Sequence, residues 1–295
     1  MTLVLLISGG IFLLYLLAYL YWRLWLNRGS VLTPPVLLFH KIEPVSEWGI
    51  TSLKPSKFAN LIKSLKEQGF ESISIKEALR MQPEDSHKKV LITFDDAYQG
   101  IYTNAFPILE SVGYTASIFV ITGFVGEPNT WDMNWGGRKF QHLAWEQIKE
   151  LAERGFSFGS HTVNHPDLTR LPLRYIEYEL KTSKQDLEDK LGREVAYLSY
   201  PFGRFNQRIQ QEAIRLGYTA GFSIYPGRSE SLQPHLSIKR TAVYRLDSPL
   251  SLRIKLEGGP WFWLEDLKAY LINRLSLATT LVKPWPDYSG LYSKL

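Results

Sequence analysis

Residues 91–96 of this chain read LITFDD, an apolar run that ends in two adjacent carboxylates. A short run of this kind is typical of a strand that is buried on both faces of a parallel sheet. Similar runs recur along the chain and alternate with stretches that have helical apolar spacing. Repeated strand–helix units predict an α/β fold built on a mainly parallel sheet, either open or closed.

Seven stretches have the character of buried strands, and five helices are predicted between them. The strands are Val36–His40, Val90–Phe94, Ala116–Ile121, Phe156–Ser160, Val195–Tyr200, Thr219–Ile224 and Ile238–Val243. The helices are Ser56–Gly69, Tyr102–Val112, Trp145–Arg154, Ile176–Leu191 and Gln207–Leu216. Each helix ends at or just before a glycine, the residue that most often follows a helix C-terminus.

The composition predicts a folded protein, with 45% hydrophobic and 21% charged residues among 295. The chain contains no cysteine, which excludes disulfides, thiolate metal sites and a cysteine nucleophile. A transition metal must therefore be held by His, Asp or Glu. The net charge is only +5 and the basic residues are scattered, so no nucleic acid partner is expected.

The N-terminal segment predicts a membrane anchor at residues 1–26. Leu3–Trp22 carries no charge, and about 20 apolar residues cross a hydrocarbon core of about 30 Å. A cleaved signal peptide is the alternative, but no basic residue precedes the run and no A-x-A site follows it. Arg23 and Arg28 follow the span, which favours a cytoplasmic location for the large domain that comes after it. An exported polymer as substrate would instead favour an extracytoplasmic location for this domain.

The remaining chain divides into three predicted parts. Residues 27–35 are a linker that ends in two prolines, residues 36–250 are the catalytic domain, and residues 251–295 form an amphipathic helix and tail. The helical spacing of this last part covers Leu264–Val282, with tryptophans on either side. The helix packs on the domain or, alternatively, lies in the interface of the same membrane.

Polar residues end several of the predicted strands. They are His40, Asp95 with Asp96, His161, and the turn Tyr200–Gly203. In parallel α/β folds the carboxyl ends of the strands meet at one edge, where functional side chains gather. The sequence therefore predicts a site at this edge, with His40 open as a general acid.

The two aspartates and two histidines together predict a catalytic metal site. Adjacent buried carboxylates raise each other's pKa unless a cation lies between them, although a helix N-cap would explain a single Asp. His161 and His165 lie four residues apart and can meet one ion in a tight turn, although surface histidines share this spacing. Two imidazoles and one carboxylate leave coordination positions free for water and substrate.

These residues lie in strings that resemble the polysaccharide deacetylase family, carbohydrate esterase family four. The strings are TFDDAY, SHTVNHPDLTRL and YPFGRFN, and the resemblance covers roughly Pro35 to Arg245. The string VLLFHKI resembles the branch that deacetylates poly-N-acetylglucosamine and related exported polymers. The resemblance implies a distorted (β/α) barrel with about seven strands, and Asp96, His161 and His165 as metal ligands.

The resemblance also implies catalytic roles. Asp95 would be the general base, His40 the general acid, and the backbone N–H of Phe202 a donor to the oxyanion. Many members have an arginine that orients the base at the position of Ser199. We hypothesise that Arg240 replaces it.

The predicted activity is metal-dependent removal of N-acetyl groups from a polysaccharide such as poly-N-acetylglucosamine or peptidoglycan. Zinc is the expected metal, with nickel, cobalt or iron as alternatives, and proteins of polysaccharide synthesis or export are candidate partners. Trp131, Trp135, Tyr200 and Pro201 are the candidate substrate-binding residues, because Trp faces stack on sugar rings. An O-acetyl esterase and an inactive, membrane-anchored glycan-binding module remain as alternatives.

Overall fold

A computed structural model describes residues 13, 15–17, 19–20, 34–45, 49–132, 137–224, 233–258, 261–276 and 288. The predicted anchor at 1–26 and linker at 27–35 therefore lie mostly outside the described residues. Within the described part of the chain, no helix is long and apolar enough to cross a membrane. The predicted transmembrane helix thus gains no support from the structure.

The described residues form one sheet of nine strands, and the pairings between strands are parallel. The strands are β1 (Val36–Phe39), β2 (Glu71–Ser72), β3 (Lys89–Phe94), β4 (Ser117–Val120), β5 (Ser157–Ser160), β6 (Tyr197–Ser199), β7 (Ala220–Ser223), β8 (Ile238–Lys239) and β9 (Thr241–Ala242). Eight of them follow the order β8-β7-β6-β5-β4-β3-β1-β9, and β2 pairs with β3 beside this path.

The two ends of this path belong to one short stretch of chain. Strand β8 pairs with β7, strand β9 pairs with β1, and Arg240 alone separates β8 from β9. The sheet is therefore a nearly closed barrel. The strand predicted at Ile238–Val243 exists as two two-residue strands, so the expected count of about seven becomes eight along the path.

Helices cover the outside of the barrel. They are α1 (Pro55–Glu67), α2 (Ile75–Arg80), α3 (Phe106–Ser111), α4 (Trp145–Glu153), α5 (Leu173–Leu191), α6 (Gln207–Arg215), α7 (Pro249–Glu257) and α8 (Phe262–Ser276). The helix predicted at Tyr102–Val112 begins as a π-helix, Ile101–Ala105, which continues into α3. The largest buried cluster lies between helices and sheet, where Phe39 of β1 meets Phe58 of α1.

An apolar layer fills part of the barrel interior and supports a polar layer. Five different strands contribute to one buried cluster, through Val36, Leu91, Phe119, Phe222 and Ile238. The guanidinium carbon of Arg240 lies 5.5 Å from the Phe119 ring centre and 5.9 Å from that of Phe222. Arg240 therefore rests on aromatic rings inside the barrel, where cation–π attraction favours it.

The C-terminal helices are joined to the barrel by ion pairs. Asp247, which is fully buried, accepts hydrogen bonds from Lys255 on α7, from Lys268 on α8 at 2.6 Å, and from the Tyr244 backbone at 2.9 Å. The domain boundary predicted at residue 250 falls inside α7. The helix predicted at Leu264–Val282 is described as α8 up to Ser276, and its predicted continuation lies outside the described residues.

Candidate active site

The two carboxylates of the LITFDD stretch lie at the carboxyl end of β3, and both are buried. Asp96 and Ala97 have φ angles of 69° and 56°, so the backbone turns sharply where the strand ends. A left-handed φ at a residue other than glycine costs roughly 1–3 kcal/mol, and such strain collects at functional sites. Because of this turn, Asp95 and Asp96 face different neighbours.

His161 and His165 lie in the loop that follows β5. The His161 backbone N–H donates to the carbonyl of Val120 at 2.8 Å and so continues the sheet pairing. Thr162 and His165 have φ angles of 69° and 53°. The His165 N–H donates to Thr162 Oγ1 at 3.0 Å, and the loop turns back until the two imidazole rings lie 4.7 Å apart.

Asp96 and the two imidazoles form a cluster that fits a divalent metal ion. Asp96 Oδ1 lies 3.5 Å from His161 Nε2 and 3.8 Å from His165 Nε2. Two ligand atoms bound tetrahedrally at about 2.1 Å from an ion lie about 3.4 Å apart, which is close to these distances. His161 Nδ1 lies 2.8 Å from the Ser199 carbonyl; as a donor there, it leaves the Nε2 lone pair for the metal.

Asp95 is held by a guanidinium and a hydroxyl. Arg240 donates from Nη1 to Oδ1 at 2.7 Å and from Nη2 to Oδ2 at 2.6 Å, a bidentate pair. Ser199 Oγ donates to Asp95 Oδ2 at 3.0 Å and accepts from Arg240 Nη2 at 2.8 Å. The Arg240–Asp95 contact that the hypothesis requires is therefore present. Ser199, which stands where many family members have arginine, hydrogen-bonds to both residues.

The electrostatics of the cluster favour ionised aspartates. Burial opposes ionisation of Asp95, but Arg240 and His161 outweigh it and hold the pKa of Asp95 at about 2. Burial likewise opposes ionisation of Asp96, yet His161 and His40 bring its pKa below the ordinary value. Burial alone would lower the pKa of His161, and the two carboxylates raise it instead. Arg240 is thus the one permanent cation described beside the two aspartates, and the remaining balance of charge depends on titratable imidazoles.

His40 follows β1 and shares the electrostatic environment of Asp95, Asp96, Arg240 and His161. Burial lowers the pKa of His40, against the pull of the two aspartates. Its Nδ1 is buried and has no hydrogen-bond partner among the described residues. The structure thus brings the predicted acid to the same end of the barrel as the predicted base.

The turn after β6 carries Phe202 with a φ of 58°. The Phe202 ring lies 4.7 Å from the His165 ring, so this turn borders the cluster. Tyr200 was expected to bind substrate, but its side chain is fully buried and its hydroxyl donates to the Leu236 carbonyl at 3.0 Å. Pro201 is also buried. The structure therefore offers no side-chain surface for a polymer at these two positions.

Trp131 packs against the cluster and has little exposed surface. Its ring lies 4.3 Å from His165, and its indole N–H donates to His142 Nε2 at 3.1 Å. His142 in turn lies 2.7 Å from the Glu127 carbonyl through Nδ1 and stacks on Tyr98. These contacts fit a structural support of His165 better than a stacking platform for sugars. Trp135 lies outside the described residues.

Two polar residues near the cluster escaped the sequence reasoning. His142 sits in a loop with no strand-end position to mark it. Glu179 is fully buried on α5 and accepts hydrogen bonds from the loop that carries the histidines. A signal for Glu179 did exist, because it shares the helical spacing of the apolar residues Ile176, Leu180 and Leu187, which are buried on the same face.

The fold and the cluster define a class: an α/β barrel whose strand ends combine a candidate metal site with a guanidinium-held carboxylate, as hydrolytic enzymes do. Residues 82–221 match the polysaccharide deacetylase family. YxkH of Bacillus subtilis, a protein assigned to the polysaccharide deacetylases, is 31% identical over 222 residues, which are 74% of each chain. This chain therefore belongs to the polysaccharide deacetylase family, whose members are hydrolases.

Two further relatives are similar over much of the chain. The structure of the Streptococcus pyogenes deacetylase PplD in complex with acetate superposes with a TM-score of 0.66 at 29% identity, covering 77% of this chain and 99% of that one. The poly-β-1,6-N-acetyl-D-glucosamine N-deacetylase of Staphylococcus aureus (strain N315) is 29% identical over 184 residues. That match spans 59% of this chain and 61% of the relative's length.

Proposed function

We propose that this protein is a metal-dependent deacetylase that removes N-acetyl groups from an N-acetylhexosamine polysaccharide. The proposal depends mainly on one observation, the different surroundings of two adjacent carboxylates. Asp96 faces two imidazoles, whereas Asp95 is held by Arg240 at 2.6 and 2.7 Å. One carboxylate is thus free to bind a cation, and the other is kept as a base.

Asp96, His161 and His165 would hold the ion. Zinc is the proposed metal, with nickel, cobalt or iron as alternatives, because imidazole suits all four. A divalent ion at this position would polarise the acetyl carbonyl and lower the pKa of a water molecule. Asp95 accepts a proton from the water molecule while the water oxygen attacks the carbonyl carbon. Arg240 and Ser199 hold the two oxygens of Asp95 in place for this proton transfer.

Phe202 and His40 act on the two other reacting atoms. The backbone N–H of Phe202 donates to the carbonyl oxygen as it becomes an oxyanion, and one such donor contributes about 3 kcal/mol. Protonated His40 gives its proton to the amide nitrogen as the carbon–nitrogen bond breaks, which releases acetate and a free amino sugar. Burial lowers the pKa of His40, which makes its imidazolium a stronger acid.

The substrate class is proposed from the relatives. The Staphylococcus aureus relative is named for poly-β-1,6-N-acetyl-D-glucosamine, and family membership supports an N-acetylated polysaccharide more broadly. Poly-N-acetylglucosamine is therefore the first polymer to test, and peptidoglycan is the second. Proteins that make or export such a polymer are proposed partners.

The test uses the purified full-length protein, stripped of metal and then supplied with zinc, nickel, cobalt or iron. We expect acetate release from short β-1,6 or β-1,4 N-acetylglucosamine oligomers or from peptidoglycan, and none from a His161→Ala control. Release from O-acetylated sugars alone would identify an esterase. Glycan binding without release under any metal would identify an inactive binding module and refute the proposal.

Membrane attachment is proposed from the uncharged residues 3–22 together with the orientation of α8. Two charged side chains of α8 turn inward, where Asp266 pairs with Lys239 at 3.1 Å and Lys268 pairs with Asp247 at 2.6 Å. Among the described side chains of α8, the exposed ones are Leu264 and Leu271, with exposed fractions of 42% and 53%. Trp261, which directly precedes the helix, is 56% exposed. The Tyr15 ring contacts Trp261 and Trp263 at 6.4 and 5.5 Å, so the apolar N-terminal segment approaches this face.

The absence of cysteine makes this attachment simple to test. A Leu271→Cys variant, labelled with an environment-sensitive dye and reconstituted in vesicles, should report an apolar surrounding. A Ser111→Cys control at the end of α3 should report water. Equal, water-like signals at both positions would contradict contact between α8 and lipid. Protease access to the domain in intact cells would then test the proposed extracytoplasmic side.

A further inference from the structure

The loop that carries His161 and His165 has a backbone that its own contacts do not explain. Thr162 and His165 both have left-handed φ angles, 69° and 53°. Conformations of this kind persist when the surroundings hold them in place. A metal site needs its ligand atoms placed within a few tenths of an ångström, so whatever holds this loop also sets the geometry of the site.

One side of the loop is held by the chain that follows β4. The N–H groups of Thr122 and Gly123 donate to the carbonyls of Thr162 at 3.1 Å and Val163 at 3.0 Å. A Cβ atom at Gly123 would lie 2.6 Å from the Val163 carbonyl oxygen, so this close approach requires glycine. The carbonyl groups of the loop are thus fixed from this side.

The other side of the loop is held by Glu179. Its Oε2 accepts the backbone N–H groups of Val163 at 2.8 Å and Asn164 at 2.9 Å, and its Oε1 accepts the Asn164 side-chain amide at 2.8 Å. Glu179 is fully buried and makes no ion pair among the described residues. A buried carboxylate without a cation needs several donors, and the loop provides three of them.

A fourth donor comes from the C-terminal tail. The Tyr288 hydroxyl donates to Glu179 Oε1 at 2.9 Å. The Tyr288 ring stacks on Tyr175 at 4.4 Å and meets the edge of Tyr178 at 6.4 Å, and both tyrosines lie on α5 with Glu179. Tyr288 therefore packs its ring on α5 and reaches the carboxylate with its hydroxyl.

We propose that Glu179 and Tyr288 are positioning residues for the metal-binding loop. The Glu179 carboxylate fixes the N–H groups of Val163 and Asn164 so that His165 faces Asp96. The Tyr288 hydroxyl fixes the carboxylate. This inference rests on the proposed function, because it takes Asp96, His161 and His165 as metal ligands.

The first experiment measures zinc affinity of the metal-free full-length protein against a chromophoric chelator. Glu179→Gln replaces one of the two acceptor oxygens by an amide donor, which then faces either the loop N–H groups or the Asn164 amide and the Tyr288 hydroxyl, so we expect zinc to bind 10–100-fold more weakly. Glu177→Gln is the matched control, because Glu177 lies on the same helix and pairs with Arg215 at 2.7 Å, away from the loop. It should bind zinc like the wild type.

Tyr288→Phe is the gentler variant, since it removes only the hydroxyl and keeps the ring stack. We expect a loss of zinc affinity of a few-fold. Its control is Tyr175→Phe, whose hydroxyl accepts from Arg174 at 3.2 Å instead of reaching Glu179. Tyr175→Phe should leave zinc affinity unchanged.

The second experiment measures hydrogen exchange of the Val163 and Asn164 amides in the metal-free protein. Exchange should be faster in Glu179→Gln than in Glu177→Gln. The inference is overturned if Glu179→Gln binds zinc as tightly as the wild type and its Val163 and Asn164 amides exchange at the wild-type rate. It is also overturned if the variant keeps wild-type zinc affinity and only its melting temperature falls. The proposed function stands in both cases. If the wild type binds no divalent metal, the proposed metal site fails, and the exchange result alone decides whether Glu179 orders the loop.

Discussion

Two buried carboxylate clusters in this protein differ in how their charges are balanced. Around Asp247, two acidic side chains meet two lysines: Lys255 and Lys268 contact Asp247, and both lie near Glu265. Around the LITFDD stretch, two aspartates meet one guanidinium, that of Arg240, together with imidazoles that can be neutral. In the first cluster two lysines balance two carboxylates, whereas in the second one guanidinium faces two carboxylates and the rest of the balance depends on titratable imidazoles.

This difference separates a structural cluster from a functional one. A balanced, hydrogen-bonded ion cluster tolerates burial and needs nothing from outside. A buried carboxylate that faces titratable imidazoles can instead share a divalent cation with them, because imidazole binds a metal in its neutral form. Changes to the first cluster should therefore affect unfolding, and changes to the second should affect metal binding and turnover.

The largest effect is expected from Asp95→Asn. The amide keeps the shape of the side chain but cannot accept a proton, so turnover should fall by roughly 10²–10⁴-fold. Acetate release measures the loss, and zinc affinity should remain close to that of the wild type. Loss of zinc together with activity would instead assign Asp95 to the ligands and contradict the division of roles between the two aspartates.

Asp247→Asn should act on stability. The change leaves Lys255 buried without its carboxylate, which costs about 3–5 kcal/mol in the free energy of unfolding. Denaturant unfolding measures this cost, and zinc affinity of the folded fraction is the control. An unfolding free energy within 1 kcal/mol of the wild type would contradict the structural role of the cluster.

The same cluster predicts a dependence of stability on pH. Burial opposes ionisation of Asp247, but Lys255 and Lys268 outweigh it and hold its pKa below the ordinary value. A depressed pKa contributes stability above the pH range in which unfolded carboxyls titrate, and this contribution is lost as the pH falls. The stability gap between wild type and Asp247→Asn should therefore narrow below about pH 4. A gap that widens in acid would contradict the assignment.

A smaller effect is expected from Arg240→Lys. Lysine keeps the charge but loses the bidentate geometry, so Asp95 is no longer oriented by two bonds. We expect turnover to fall by about 10–100-fold with metal affinity unchanged. Full activity in Arg240→Lys would show that a single positive charge is enough to orient Asp95 and that the bidentate geometry is not required.

The smallest effect is expected from Ser199→Ala. This change removes one hydroxyl from the Asp95–Arg240 pair and leaves both guanidinium bonds. One hydrogen bond contributes about 1 kcal/mol, so a loss of roughly five-fold in turnover is expected. A loss as large as that of Arg240→Lys would mean that the hydroxyl, and not the guanidinium, sets the orientation of Asp95.

Much of the architecture could be predicted from local sequence patterns. Each predicted strand overlaps an observed one, because buried strands need short apolar runs and helices end at glycine. The convergence of Asp95, Asp96 and His161 followed from the rule that parallel strand ends share one edge. These predictions depend on near neighbours along the chain, which a sequence reports directly.

Features that depend on distant contacts could not be predicted in this way. The break of the last predicted strand at Arg240 arises because its two halves pair with different partners, β7 and β1. The burial of Tyr200 depends on the position of Leu236, and the role of Glu179 on a loop from another part of the barrel. No local pattern encodes such pairings.

The split strand at Arg240 has a consequence for biosynthesis. Residues 37 and 241 pair across about two hundred positions of the chain, and such distant pairing forms late in folding. Strand β9 can therefore pair with β1 only after residue 241 has been synthesised, and until then β1 has an open edge. The same pairing brings Arg240 to Asp95, so closure of the barrel and completion of the Asp95 hydrogen bonds occur together.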